Sequence, residues 1–165
     1  MSSPFLIKNL SPPIKSFLAV FLFLLSIGYF TGLLFVSQTE ATTPIGIEEN
    51  YNGNEDIENP KVLKFKKSSR EMLTIIHTHV LSISIIFFLT GILLWGTEES
   101  VFRKKILSIE PFVSILVTFG GIYFIWMGYT WVSYIVIVSG VLMTLSYVLA
   151  VIFIFNDLLK KPSSS

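Results

Sequence analysis

The chain contains no cysteine in its 165 residues. That excludes disulfides, thiolate metal sites, iron–sulfur clusters and haem attached through Cys-x-x-Cys-His. Any metal or haem would have to be held by histidine, methionine or carboxylate. Histidine is also scarce, with two in the chain. Charge is sparse too: 14% of residues are Asp, Glu, Lys or Arg, where a soluble domain carries about 25%. The net charge is +1 and the lysines form no large basic face, so nucleic acid is not an expected partner. There is no phosphate-cradling glycine loop, no zinc-protease motif and no nucleophile–base pair, so an autonomous hydrolase or kinase is not expected.

What fills the chain instead is apolar: 52% of residues are hydrophobic, and the mean hydropathy is +0.71. A hydrocarbon core of about 30 Å needs about 20 apolar residues at about 1.5 Å rise each. Four segments qualify: 16–36, 72–95, 106–127 and 131–155. The expected fold is all-α: a polytopic bundle of four transmembrane helices. In that plan 1–15 is the N-terminus, 37–71 an extracytoplasmic loop, 96–105 a cytoplasmic loop, 128–130 an outer turn and 156–165 a tail. The first run, of about 21 residues, exceeds the 7–15 of a signal-peptide core and is read as an uncleaved anchor.

Basic residues in the flanks set the orientation. With the N-terminus inside, the cytoplasmic side holds Lys8, Lys15, Arg103, Lys104, Lys105, Lys160 and Lys161. The outer side holds Lys61, Lys64, Lys66, Lys67 and Arg70. Both termini are therefore expected in the cytoplasm. Tyr123, Trp126, Tyr129, Trp131 and Tyr134 crowd the third turn, where an interfacial aromatic belt is the simplest reading. Trp95 would mark the opposite interface.

Residues 38–67, about 30 in number, form the one substantial water-exposed loop. Its first half is acidic (Glu40, Glu48, Glu49, Glu55, Asp56, Glu58) with a turn signal at Asn52-Gly53. Its second half, KVLKFKKSSR, is basic. The acidic part lacks the calcium-loop pattern. The two halves are read as a solvated loop or as surfaces that fold onto each other or a partner. Ser68 and Glu71 make a capping box that starts the second span.

That span carries the chemistry. Thr74, His77, Thr78, His79, Ser82 and Ser84 crowd its outer half. At about 100° per residue, with Thr78 at zero, Thr74 and Ser82 lie at about ∓40° and the two histidines at about ∓100°. The result is one broad polar face with an imidazole on each edge. Lipid cannot satisfy these groups, so the face must look into the bundle, a wet cavity or another subunit. His77 sits about 7–8 Å below the outer boundary, where protonation is costly and neutral imidazoles are expected.

Three readings of the pair stand open. The histidines can be hydrogen-bonded interhelical glue. They can be ligands of haem b or copper, since neutral imidazole is a common metal ligand. They can form a proton relay or a quinone contact. Two residues apart on a helix they point about 200° apart, so they cannot close on one ion. The spacing is similar to the HxH on one helix of haem–copper oxidases, a family that needs several further histidines on other helices. Met127 could supply a second axial ligand; Met72, five residues before His77, is a poorer candidate; a homodimer could pair His77 with its mate.

The other helices supply packing motifs. Gly28 and Gly32 form a GxxxG; Ser114, Thr118 and Gly121 make one small-residue seam; Ser133, Gly140 and Thr144 make another. Glu110-Pro111 reads as the start of the third span, with Pro in the first turn and Glu at the positive helix end.

The stretch Thr43–Gly91 resembles an uncharacterised family of small four-helix bacterial inner-membrane proteins with an HxH on the second span. The residues that carry the likeness are TPIGIEENYNGNE (43–55), FKKSSREML (65–73) and HTHVLSISIIFFLTG (77–91). The resemblance implies a bacterial cytoplasmic membrane and a loop folded back over the histidines. Glu48, Glu49 and Tyr51 are placed near His77 on that basis. The first expectation for function is a non-catalytic subunit or accessory of a larger membrane assembly, with a respiratory one as the candidate. Its partners would be lipid and other membrane subunits or a second copy of the chain. A haem b or metal module at His77 or His79 is second, and a small transporter or proton relay third.

Overall fold

The computed structural model describes residues 6–161; the ends of the expected terminal segments, 1–5 and 162–165, lie outside the described residues. Those residues are helical and contain no strand. After a 3₁₀ turn at Ile7–Asn9 come α1 (Pro12–Gln38), α2 (Pro44–Asn52), α3 (Ser69–Trp95), α4 (Val101–Trp126) and α5 (Val132–Leu159). The four long helices are long and apolar enough to cross a membrane. The N-terminal turn at Ile7, the end of α5 and the 96–100 connection share one side, called here the terminal side. α2 and the 127–131 turn lie on the other, the loop side.

Local chemistry explains the boundaries. α1 opens with Pro12 in its first turn, where the missing N–H has no intrahelical acceptor to lose. At α3 the expected capping box forms: the Ser68 hydroxyl accepts from the Glu71 amide, while the Glu71 carboxylate accepts from the Ser68 amide at 2.7 Å. α4 begins at Val101 with Ser100 as N-cap, earlier than the 106 read from hydropathy. The basic triplet Arg103-Lys104-Lys105 is therefore the first turn and a half of a helix, not a loop.

Packing is unequal. Only 11% of the apolar membrane-crossing stretches of α1 and α3 is buried, against 39% and 33% for α4 and α5. The α4–α5 pair is the spine. Gly121 permits its close approach, since a Cβ there would lie 2.5 Å from Val136 Cγ2. α3 lays Met72, Phe87, Gly91 and Leu94 against this spine. α1 touches the bundle through few residues. Leu22 is buried beside Ile154 and Ala150, and the Tyr29 ring stacks on Tyr147 at 4.1 Å. Its GxxxG does not serve the bundle: nothing lies within 4 Å of a Cβ at Gly28 or Gly32.

The expected loop is a folded cap. Thr43 accepts from the Gly46 amide at 3.1 Å and Pro44 fills the first turn of α2. Gly46 must be glycine, because a Cβ would meet the Glu40 carbonyl oxygen at 1.9 Å. The acidic and basic halves close on each other. Asn54 and Lys64 exchange hydrogen bonds at 2.9 and 2.7 Å, and the Lys64 ammonium lies 3.8 and 3.9 Å from Glu40 and Glu49. The cap is fastened to the bundle by Asn52, which donates to the Ile125 carbonyl at 2.8 Å, and by Trp126, whose indole donates to the Lys67 carbonyl at 2.7 Å. Trp126 is thus a fastener of the cap rather than a free member of an aromatic belt, whereas Tyr129, Trp131 and Tyr134 remain exposed.

Candidate functional site

The polar face of α3 does not look into the bundle. Thr74, His77, Thr78, His79 and Ser82 are all exposed, and Ser84 is half-buried. The reason is competition between faces of one helix. Met72, Ile76, Val80, Ile83 and Phe87 form an aliphatic and aromatic strip that packs on α4 and α5, and burying that strip turns the polar one outward.

Most of the outward groups satisfy themselves within α3. Thr74 donates to the Arg70 carbonyl at 2.9 Å and Ser82 to that of Thr78 at 2.7 Å, the back-bonding available to hydroxyl residues inside a helix. His79 Nδ1 lies 2.7 Å from the Ile75 carbonyl. A carbonyl only accepts, so Nδ1 carries the proton of this bond. The His79 ring also leans on Phe119 of α4, centroids 5.3 Å apart. His77, one residue around from the strip, shows no hydrogen bond to any described residue. The hydroxyls of Thr78 and Ser84 show none either, so His77 is the one imidazole of the face without a hydrogen bond among the described residues.

The other expected partners have contacts of their own. Met127 is exposed at the C-cap of α4. Glu49 is engaged by Lys64 and Asn54, Glu48 is half-buried on α2, and Tyr51 packs into the core cluster, where burial pushes its phenol up. No hydrogen bond or ion pair joins these three to His77 among the described residues. Nor do three or more His, Asp or Glu among them form a metal-holding group.

A second polar site was not singled out from the sequence. Because α4 starts at Val101, Glu110 lies nine residues inside a spanning helix rather than in its first turn, and Pro111 is interior. The capping expectation for this pair is corrected accordingly. The half-buried Glu110 carboxylate faces α5. Ser114 donates to one of its oxygens, and Ser146, at the midpoint of α5, donates to the other. Beyond it hydroxyls continue across the helix contacts. Thr118 donates to Ser139 at 3.0 Å, and Ser139 to the Ser114 carbonyl at 3.0 Å. Tyr29 and Thr144 share a bond at 3.2 Å, as do Tyr147 and Ser26 at 3.1 Å. The signal available in the sequence was Glu110 itself, a carboxylate five residues beyond the basic triplet in an otherwise apolar run.

Comparison with known proteins adds one result. A family model described as a transmembrane helical domain matches residues 41–165, which are α2 to α5 and the connections between them. No curated protein and no solved structure matches the chain. The matched region leaves out α1, whose buried residues are Leu22 and Tyr29. The chain is a multi-pass integral membrane protein and belongs to this transmembrane helical domain family.

Proposed function

We propose that the protein is a non-catalytic component of a larger assembly in a bacterial cytoplasmic membrane, with both termini in the cytoplasm. It would be held there through the outward polar stripe of α3. The observation that supports this is His77. An imidazole with no hydrogen-bonding partner, flanked by Thr74, Thr78 and Ser82, faces what would be lipid in an isolated copy. Unsatisfied polar groups are expensive in hydrocarbon, and transmembrane helices bury them against other helices. A helix of another subunit, or a second copy, would supply the missing partner. A respiratory complex is one such assembly.

Because the chain has no cysteine, single thiols can report on this directly. Thr78→Cys, carrying a thiol-directed photocrosslinker, is expected to capture a fixed protein partner in native membranes. The same probe at Leu116, 70% exposed on α4, is expected to meet only lipid. Capture of lipid alone at both positions would overturn the proposal.

A redox reading keeps one specific support. Metal-bound histidines commonly donate their other ring N–H to a backbone carbonyl, as His79 does to Ile75. The described residues of one copy offer haem b or copper no complete ligand set, so further ligands would come from a partner. A Soret band or stoichiometric metal in protein purified in mild detergent, lost in His79→Ala, would favour this reading over a purely structural stripe.

A further inference from the structure

The polar site between α4 and α5 is independent of the α3 stripe and has a different chemistry. Glu110 stands about 13 Å along α4 from Val101. Ser146 stands about 20 Å from either end of α5. Both therefore lie at membrane depth. No lysine, arginine or histidine pairs with Glu110 among the described residues. Lys104, six residues earlier on α4, spends its ammonium on the Trp95 and Thr97 carbonyls at and just after the end of α3. An ionisable group left without a counter-ion inside a membrane helix marks ion chemistry more often than packing.

The donors around it suit exchange of a positive charge. Two serine hydroxyls hold the carboxylate, one on each oxygen. A hydroxyl can turn from donor to acceptor without any helix moving, so the same cradle holds a carboxylate or a carboxylic acid. Pro111 has no N–H, so the Leu107 carbonyl lacks its usual helical donor.

We infer that Glu110, with Ser114 and Ser146, is a binding site for one small exchangeable cation, a proton or Na⁺, within the membrane. Binding a proton forms one O–H bond on the carboxylate with the proton drawn from water; release returns it. Na⁺ would bind through oxygen contacts with no bond broken. The titratable neighbours on the packed helices are Tyr29 from α1 and Tyr147 from α5, both already hydrogen-bonded. α3 presents no titratable group at this level. Its nearest, His79, lies against Phe119, nine residues and about 13 Å further along α4.

The test is carbodiimide labelling of the full chain in mild detergent, read by peptide mass spectrometry. Dicyclohexylcarbodiimide is apolar and adds to a protonated carboxyl from the lipid side, where Glu110 is half-exposed. Glu110 is expected to be the fastest-modified carboxyl. Its rate should fall as pH rises, since only the protonated carboxyl reacts, and Glu110→Gln should abolish labelling. Ser146→Ala should shift the pH midpoint, and Ser146→Thr, which keeps the hydroxyl, should restore it. Slower labelling in Na⁺ but not K⁺ would assign Na⁺ as the occupant; no protection by either would assign the proton. Absence of Glu110 labelling, or labelling indifferent to both pH and Na⁺, would overturn the inference.

Discussion

His79 and Ile75 are joined by a hydrogen bond of 2.7 Å from the imidazole Nδ1 to the carbonyl one turn earlier on α3. The bond requires a proton on Nδ1, so the acceptor of the neutral ring is Nε2. Nitrogen NMR of ¹⁵N-histidine-labelled protein is expected to show His79 protonated at Nδ1. It should show His77, which has no such bond, in a different state. Two identical histidine signals would contradict the geometry.

The cap over the loop side hangs on few polar contacts. Trp126→Phe removes the indole donor to Lys67, and Asn52→Ala the amide donor to Ile125. Each loss is expected to cost about 1 kcal/mol of local stability rather than unfolding the bundle. Trypsin should then cut at Lys64, Lys66, Lys67 or Arg70 several times faster, with the thermal midpoint little changed.

On the terminal side Glu98 joins three segments. It lies 2.5 Å from Lys8 and 3.1 Å from Lys160, while its own amide donates to Asp157 at 2.6 Å. Hydrogen bonds from Lys8 and then Lys160 hold the Glu98 carboxyl below its ordinary 4.5. Its contribution is therefore present above that value and lost as pH falls through the lowered one. Bonds to Asp157 and Glu98 raise Lys160 above its ordinary 10.5. That contribution is present below 10.5 and lost as pH rises through the raised value. The docking of the N-terminal turn, reported by protection of the Ile7 amide on Gly96, is expected to be constant between these limits and to weaken in acid. Glu98→Gln should reproduce the acid state at neutral pH.

Two glycine positions should behave oppositely. Gly121→Val would drive side-chain atoms into Val136 and is expected to cost about 1–3 kcal/mol, seen as a lower thermal midpoint in detergent. Gly28→Val has open space around it and is expected to leave that midpoint unchanged. Equal losses at both positions would mean that α1 packs far more tightly than described.

Several parts of the molecule were legible before any coordinates. Four spans follow from apolar run length alone, because the bilayer sets a fixed thickness. The capping box at Ser68 and Glu71 is local, involving residues three apart, and it forms as read. α2 was legible too, in the Thr43-Pro44 start and the Asn52-Gly53 stop, but the acidic residues between them drew attention to solvation instead. Periodicity placed Thr74, Thr78 and Ser82 on one face with a histidine on each edge.

What periodicity could not decide was which way that face would turn. The choice depended on how well the opposite strip, from Met72 to Phe87, fits α4 and α5, a comparison between surfaces remote in sequence. Glu110 shows the same limit. Hydropathy put it at a helix start, whereas the helix begins at Val101 and the carboxylate meets Ser146, 36 residues away. The sequence by itself determined the number of crossings and the local caps, since these depend on neighbours along the chain. Tertiary structure alone decided which polar groups face a partner and which meet inside the bundle, since each helix buries its best-fitting face first.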